Sequence, residues 1–343
     1  MPEVEFSLNL VWFILVGVLF TGYAMLDGFD LGIGALHLFT KTDEERRLML
    51  NSIGPVWDGN EVWLVTGGGA LFAAFPMVYA TVFSGFYLAF MLLLCALIFR
   101  AVAIEFRSKQ PMRWWRQMWD IGFSAGSFLS ALLIGVAMGN IAWGVPLNAE
   151  HEYAGTFFDL LKPYPLLIGV TTVALFMMHG AIYGVMKTEG ELHDRLRGWV
   201  NRCIIFFIVC YATSSMATLL YLPHMTETLK QYPAFFAVAL LNMLAIANIP
   251  REIHKGRDFN AFLSSCAAML ALMVLFGVGM YPNMVFSDIA PENSLTIFNA
   301  ASSQKTLGIM LIIALIGVPI VLTYTVCIYW IFRGKVKLDR MSY

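Results

Sequence analysis

Charge is what this 343-residue chain has least of: Asp, Glu, Lys and Arg make up 13% of it, against about 25% in a soluble domain. With 59% apolar residues and a mean hydropathy of +0.71, that scarcity excludes an ordinary soluble fold. Neither sign is in excess, since 22 Lys and Arg face 23 Asp and Glu, so no bulk polarity points to nucleic acid. Cysteine is sparse and scattered. Cys95, Cys203, Cys210, Cys266 and Cys327 lie in apolar runs without a CxxC pair or a Cys/His cluster, which argues for buried thiols over disulfides or zinc. Gly67-Gly68-Gly69 lacks the Lys and Ser/Thr of a phosphate loop and reads as close helix packing.

What the chain does have is apolar runs of about 20 residues, the length that crosses a bilayer. The acidic start MPEVEF precedes a run too long for a signal-peptide core, so a retained first span is expected. Nine spans can be drawn, near 8–36, 53–74, 77–106, 117–143, 164–187, 198–222, 233–250, 260–282 and 306–333. The second and third are divided at Phe75-Pro76, because Pro cannot continue a helix but can start one. Basic residues test the drawing. Only Lys162, Lys230 and Lys305 fall on one side; all other Lys and Arg, from Lys41 to Arg340, fall on the opposite side. The positive-inside rule then places the N-terminus outside and the C-terminus in the cytoplasm, which requires an odd number of spans. The longest outer connections are 144–163 and 283–305.

That orientation turns scattered charges into a layer. Asp27 and Asp30 lie in the cytoplasmic half of the first span, three residues apart on one helix face, as are Asp58 and Glu61 at the start of the second. Arg100 and Glu105 end the third span and Asp120 begins the fourth. A charge at the centre of a bilayer costs roughly 3 kcal/mol on insertion scales, so such groups persist where they face protein or water. Only Arg100 among these is basic. It can bridge Asp30 or Asp120 bidentately and lock helices together, whereas surplus carboxylates in a dry site can carry protons inward from the cytoplasm. The structural role suits Asp30 and Arg100, and proton conduction suits Asp58; Asp27 fits either. His179 is the one histidine plainly inside a span, next to Met177 and Met178. It is a haem-ligand candidate only if a second ligand meets it, and a hydrogen-bonded histidine is the simpler reading.

Several segments resemble a known family: YAMLDGFDLGIGAL at 23–36, NSIGPVWDGNEVWLVTGGGALFAAFPMVYATVFSGFYLAF at 51–90, FRAVAIEFRSK at 99–109, MWDIGFSAGSF at 118–128, IGVAMGN at 134–140, GVPLN at 144–148 and SLTIFNAASSQKTL at 294–307. Together they are similar to subunit II of the cytochrome bd quinol oxidases. The resemblance is dense over 20–148, returns at 294–330 and is loose between. It implies an all-α polytopic membrane protein with two four-helix bundles and one peripheral helix. The first bundle would span 1–150 and the second 151–290, with an outer loop, ninth helix and tail over 291–343. It implies a heterodimer with subunit I in a bacterial cytoplasmic membrane, in a complex that oxidises quinol, reduces dioxygen to water and takes protons from the cytoplasm. The two b haems and one d haem belong to subunit I, so this chain alone would be inert. Small single-helix accessory subunits accompany some complexes, and some members hold a structural quinone or lipid in subunit II. The same resemblance implies that Asp27, Asp30 and Asp58 line or support proton delivery, and that Arg100 and Asp120 serve assembly of the haem-bearing complex. Two other readings use the same carboxylates: a proton-coupled secondary transporter with broken helices at mid-bilayer, and a purely scaffolding subunit.

Overall fold

The computed structural model describes residues 7–338 and Ser342; the MPEVEF start and Arg340 of the basic tail lie outside the described residues. Ser7 opens the first helix, its hydroxyl accepting from the Leu10 amide at 3.3 Å, and the long apolar run Leu8–Leu36 follows as α1. A short amphipathic helix, α2 (Asp43–Ile53), comes next. It starts at a capping box in which the Thr42 hydroxyl accepts from the Glu45 amide and the Glu45 carboxylate accepts from the Thr42 amide. The second expected span is α3 (Trp57–Ala74), which begins four residues later than drawn because residues 54–56 turn the chain.

Phe75 ends α3 outside the helical region, at φ −133° and ψ 67°, since the residue before proline is disfavoured there, and Pro76 starts α4 (Pro76–Gly85). The third expected span is therefore two helices, α4 and α5 (Tyr87–Phe106), broken at Phe86. After it come α6 (Arg113–Trp143), α7 (Pro163–Lys187), α8 (Gly190–Tyr221), the short α9 (Pro223–Gln231), α10 (Phe236–His254), α11 (Asp258–Met280) and α12 (Gln304–Ile331). Among the described residues, eight helices are long and apolar enough to cross a membrane: α1, α5, α6, α7, α8, α10, α11 and α12. α3 falls short because Asp58, Asn60 and Glu61 occupy its first turns.

The core is organised around α1 and α7. They cross where a Cβ on Gly32 would lie 1.8 Å from the Phe176 carbonyl oxygen and one on Gly180 2.5 Å from the backbone of Gly32, so only two glycines let these backbones meet. α1 also packs on α3 and α6, α5 on α6, α8 on α7, and α10 on α11. α12 is the outlier: none of its most apolar 18-residue stretch is buried within the chain. Large apolar side chains on α5, α8, α10 and α12 point outward, as they do in a protein whose solvent is lipid.

The connections 144–163 and 283–305 form a cap at one end. A two-stranded antiparallel sheet, β1 (Asn283–Val285) with β2 (Leu295–Thr296), lies in the second, and the Val145 amide donates to the Phe286 carbonyl at 3.0 Å across to the first. Lys162 meets Asp288 at 2.8 Å, and the Asn9 amide reaches the Ile297 carbonyl at 2.7 Å. The opposite end collects α2, the end of α5 and the start of α6 and α8, with their arginines. We call it the basic end.

Candidate functional site

The α1 periodicity puts Tyr23, Asp27 and Asp30 on one face, pointing towards α3 and α5. Asp27 and Asp30 are wholly buried, as is Arg100 from α5. Arg100 Nη2 donates to Asp27 Oδ1 at 2.7 Å and lies 4.0 Å from Asp30 Oδ2, while Nη1 reaches Glu61 Oε2 at 3.4 Å. Asn60 donates from Nδ2 to Asp30 Oδ2 at 2.7 Å and accepts on Oδ1 from the Tyr329 hydroxyl of α12 at 2.9 Å. The Trp57 ring lies 6.0 Å from the Arg100 guanidinium carbon, within cation–π range. Three carboxylates therefore share one guanidinium. The opposite oxygens, Asp27 Oδ2 and Asp30 Oδ1, are buried without a hydrogen-bond partner among the described residues, as are Arg100 Nε and the Tyr23 hydroxyl. Buried polar atoms are nearly always satisfied, so these four atoms set the cluster apart from its surroundings.

A second cluster lies nearer the basic end. Asp120 of α6 accepts from Arg107 Nε at 2.5 Å and His37 Nε2 at 2.6 Å on one oxygen, and from Arg46 Nη1 at 2.8 Å on the other. Arg107 continues to Asp43 at 2.7 Å, which Arg116 also meets at 3.0 Å. This network ties α1, α2, α5 and α6 together. Alongside it, both Glu45 carboxylate oxygens accept from Arg195 Nη1 at 2.6 Å, joining α2 to α8.

His179 is fully buried, and both of its ring nitrogens are engaged. Nε2–H donates to the Met25 carbonyl at 2.9 Å and Nδ1 meets the Ser265 hydroxyl at 2.7 Å, so neither ring nitrogen is free for iron. The donors here do not fit an axial haem ligand, and among the described residues no cluster of three His, Cys, Asp or Glu could hold a metal ion. A cavity of about 430 Å³ lies apart from both clusters, lined by Arg197, Gly198, Asn201, Pro250, Ile253 and His254.

A family model described as cytochrome bd terminal oxidase subunit II matches residues 8–332. The chain belongs to that family. Cytochrome bd-I ubiquinol oxidase subunit 2 of Escherichia coli (strain K12) is 39% identical over 363 residues, covering 97% of this chain and 96% of that one. Cytochrome bd ubiquinol oxidase subunit 2 of Bacillus subtilis (strain 168) is 34% identical over 333 residues, covering 96% and 97%. The solved structure of bd oxidase from Geobacillus thermodenitrificans matches with a TM-score of 0.78 at 14% identity, over 95% of this chain and 98% of that one, which shows the shared fold. A bd-oxidase subunit II with eight such helices is a multi-pass protein of the bacterial cytoplasmic membrane.

For this subunit II, the expected single layer of charge is two separate clusters. Of the two partners open to Arg100, Asp120 belongs to the other cluster and Asp30 stands at 4.0 Å; the short bond goes to Asp27. Asp58 is exposed and has no ion-pair partner among the described residues, one turn from Glu61, whose side chain is 22% exposed. Glu105 is half-buried at the end of α5. Sequence reasoning passed over Tyr23, Asn60, Arg107, His37 and Tyr329 as members of these clusters. Tyr23 is signalled by its i, i+4 spacing to Asp27, and Asn60 by its place between Asp58 and Glu61. Nothing local signals Tyr329, 269 residues from Asn60.

Proposed function

We propose that this chain is the haem-free partner of a haem-bearing subunit I in a complex that oxidises quinol, reduces dioxygen to water and builds proton motive force. Its Arg100 cluster hands cytoplasmic protons towards that subunit. The observation that carries the reading is the surplus of buried acid around one arginine. Three carboxylates beside a single guanidinium, two of them wholly buried, cannot all hold full charge cheaply, so they share protons. The route has a graded exposure: Asp58 at the surface takes up a proton, Glu61 is partly open one turn further, and Asp27 and Asp30 are wholly buried. Arg100 holds the three carboxylates within reach of one another, and their unpartnered oxygens give a proton somewhere to go. Haem in the partner subunit supplies the electron and oxygen chemistry.

The basic end is cytoplasmic in this reading, with the N-terminus outside, as the positive-inside rule expects. We divide the chain into a first bundle of α1, α3, α4–α5 and α6 within 1–150, a second of α7, α8, α10 and α11 within 151–290, and the cap and α12 over 291–343. The packing of α1 on α3 and α6, and of α10 on α11, supports this division; the halves join along α1–α7 and α6–α7. Partners are then subunit I, quinol and the bilayer, with no residue assigned to accessory single-helix subunits or to a structural quinone.

A scaffolding role is favoured for Asp120 by its own geometry. It is matched by Arg46, Arg107 and His37, and has no unpartnered oxygen. Family membership speaks against a secondary transporter.

Asp58→Asn in the complex co-expressed with subunit I tests the relay. The expected result is a normal reduced-minus-oxidised haem spectrum with quinol-driven oxygen consumption slowed about a hundredfold or more, the scale of a lost proton-transfer group. Lost haem would assign Asp58 to the scaffold, and unchanged turnover would remove it from the path.

A further inference from the structure

α12 meets the rest of the chain chiefly at its two ends. At the cap end Leu307 is buried, and its carbonyl accepts from the Trp12 indole at 3.0 Å. At the basic end Ile328 and Tyr329 pack against the core, and the chain beyond is pinned to α7 by Lys187 Nζ on the Phe332 carbonyl at 2.5 Å and the Val336 amide on the Lys187 carbonyl at 2.8 Å. Between these anchors the helix carries Pro319, which removes one rung of its ladder.

Tyr329 does more than pack. Its hydroxyl donates to Asn60 Oδ1 at 2.9 Å and so tethers an amide whose direction is set by the two acceptors on its other side. With Oδ1 engaged, Nδ2 donates to the Leu26 carbonyl at 3.2 Å and to Asp30 Oδ2 at 2.7 Å. Turned over, the amide would set its oxygen against a carbonyl and a carboxylate, with no hydrogen to bond either. The tyrosine hydroxyl is the third point that holds this side chain in place. Asp30 in turn is faced by Asp27 on its own helix, Glu61 of α3, Arg100 of α5, Tyr183 of α7 and Tyr329 of α12.

We propose that Tyr329 is a positioning residue for the proton relay: by tethering Oδ1 of the Asn60 amide it holds Nδ2 on one Asp30 oxygen and leaves the other open to the cluster. The last helix, otherwise at the periphery, thereby sets the geometry of a carboxylate on the first. The inference rests on the relay reading of the Arg100 cluster.

The test uses Tyr329→Phe and Asp30→Asn in the whole complex. Phe keeps the ring, which lies 6.5 Å from that of Phe29, and deletes only the hydroxyl. The expected result for Tyr329→Phe is a normal haem spectrum, oxygen consumption lowered about fivefold, the worth of one hydrogen bond near 1 kcal/mol, and a displaced pH–rate profile. No further effect is expected in the Asp30→Asn background. Wild-type turnover and profile in Tyr329→Phe, beside a slow Asp30→Asn, would overturn the positioning role and leave the relay standing. Wild-type behaviour in Asp30→Asn would overturn the relay itself. Haem loss in Tyr329→Phe would make the residue structural and likewise overturn the proposal. Infrared difference spectra decide the matter without the Asp30 variant: a carboxyl band moved by Tyr329→Phe is expected, and an unmoved spectrum refutes the contact.

Discussion

Arg100→Leu removes the one guanidinium from a pocket that holds Asp27 and Asp30 at zero exposure. The cost follows from what is stranded. Asp27 loses a charge-assisted bond of 2.7 Å and becomes an unpaired buried group, and breaking such a pair from one side costs about 3–5 kcal/mol. Glu61, 3.4 Å away and 22% exposed, adds at most about 1 kcal/mol because solvent screens it. Asp30 keeps its bond to Asn60 and adds little. The loss should therefore be about 3–5 kcal/mol, nearly all of it through Asp27. Asp27→Leu combined with Arg100→Leu should recover at least half, since replacing both partners of a buried pair by apolar groups is often close to neutral. The assay is unfolding of the purified complex in mixed SDS–detergent micelles, followed by circular dichroism and haem absorbance. Arg100→Leu within about 1 kcal/mol of wild type would refute the reasoning, because a pair worth so little is not desolvated. So would a double variant as unstable as the sum of the single ones.

Two further outcomes follow from the packing and the basic end. Gly32→Ala should cost about 3 kcal/mol in the same titration, because its Cβ would sit 1.8 Å from the Phe176 carbonyl oxygen and backbone cannot step aside; a tolerated Gly32→Ala would mean the α1–α7 crossing is looser than described. Burial acts to raise the Glu45 carboxyl, but the Lys41 and Thr42 amides and the Arg195 guanidinium outweigh it and hold the group below the usual carboxylate range. A depressed folded value means the staple between α2 and α8 is fully present above about pH 4.3 and is lost as pH falls through the folded value. Hydrogen exchange of α2 amides should accelerate in acid below that point, and Arg195→Ala should flatten the dependence; equal acid sensitivity in the two proteins would count against the staple.

The spans were legible because apolar length is a property of each run taken alone. Their ends were less so, and the reasons are local. α6 begins at Arg113, before the expected 117, and α8 at Gly190, before 198, because polar first turns extend past the apolar stretch that marks a span. α10 runs on to His254 through Pro250, which sits within its last turns and costs few backbone bonds. α2 carried a readable sign in Thr42-Asp43-Glu44-Glu45, a capping box, but its low hydrophobicity hid it from a search for spans. The acids of the site were conspicuous as charges in apolar runs. Their partners were not, because a partner is a matter of which helices touch. Arg100 could have met Asp120 or Asp30 by depth alone, and it is the packing of α1 and α5 on α6 that gives it Asp27. Asn60 and Tyr329 carry no charge to betray a buried role, and Tyr329 reads as one more aromatic in a membrane helix.

The two clusters show why depth and charge alone do not assign a role. Around Asp120 and Asp43 stand Arg46, Arg107, Arg116 and His37, so cationic donors outnumber carboxylates and each Asp120 oxygen is taken. A carboxylate so held has neither oxygen vacant, and Asp43, the acid that shares Arg107 with it, is itself paired with Arg116. It can fasten α1, α2, α5 and α6, and it can do little else. Around Arg100 the balance is reversed: Asp27, Asp30 and Glu61 share one guanidinium, and two oxygens of the buried pair are unpartnered. A group that must accept a proton and pass it on needs an open oxygen, a neighbour of like kind and a cation that keeps the set together without saturating it. In the proposed relay, the surplus of base at one cluster and of acid at the other is a physical division of labour. The matched site fixes the helices so that the unmatched one can stay chemically available.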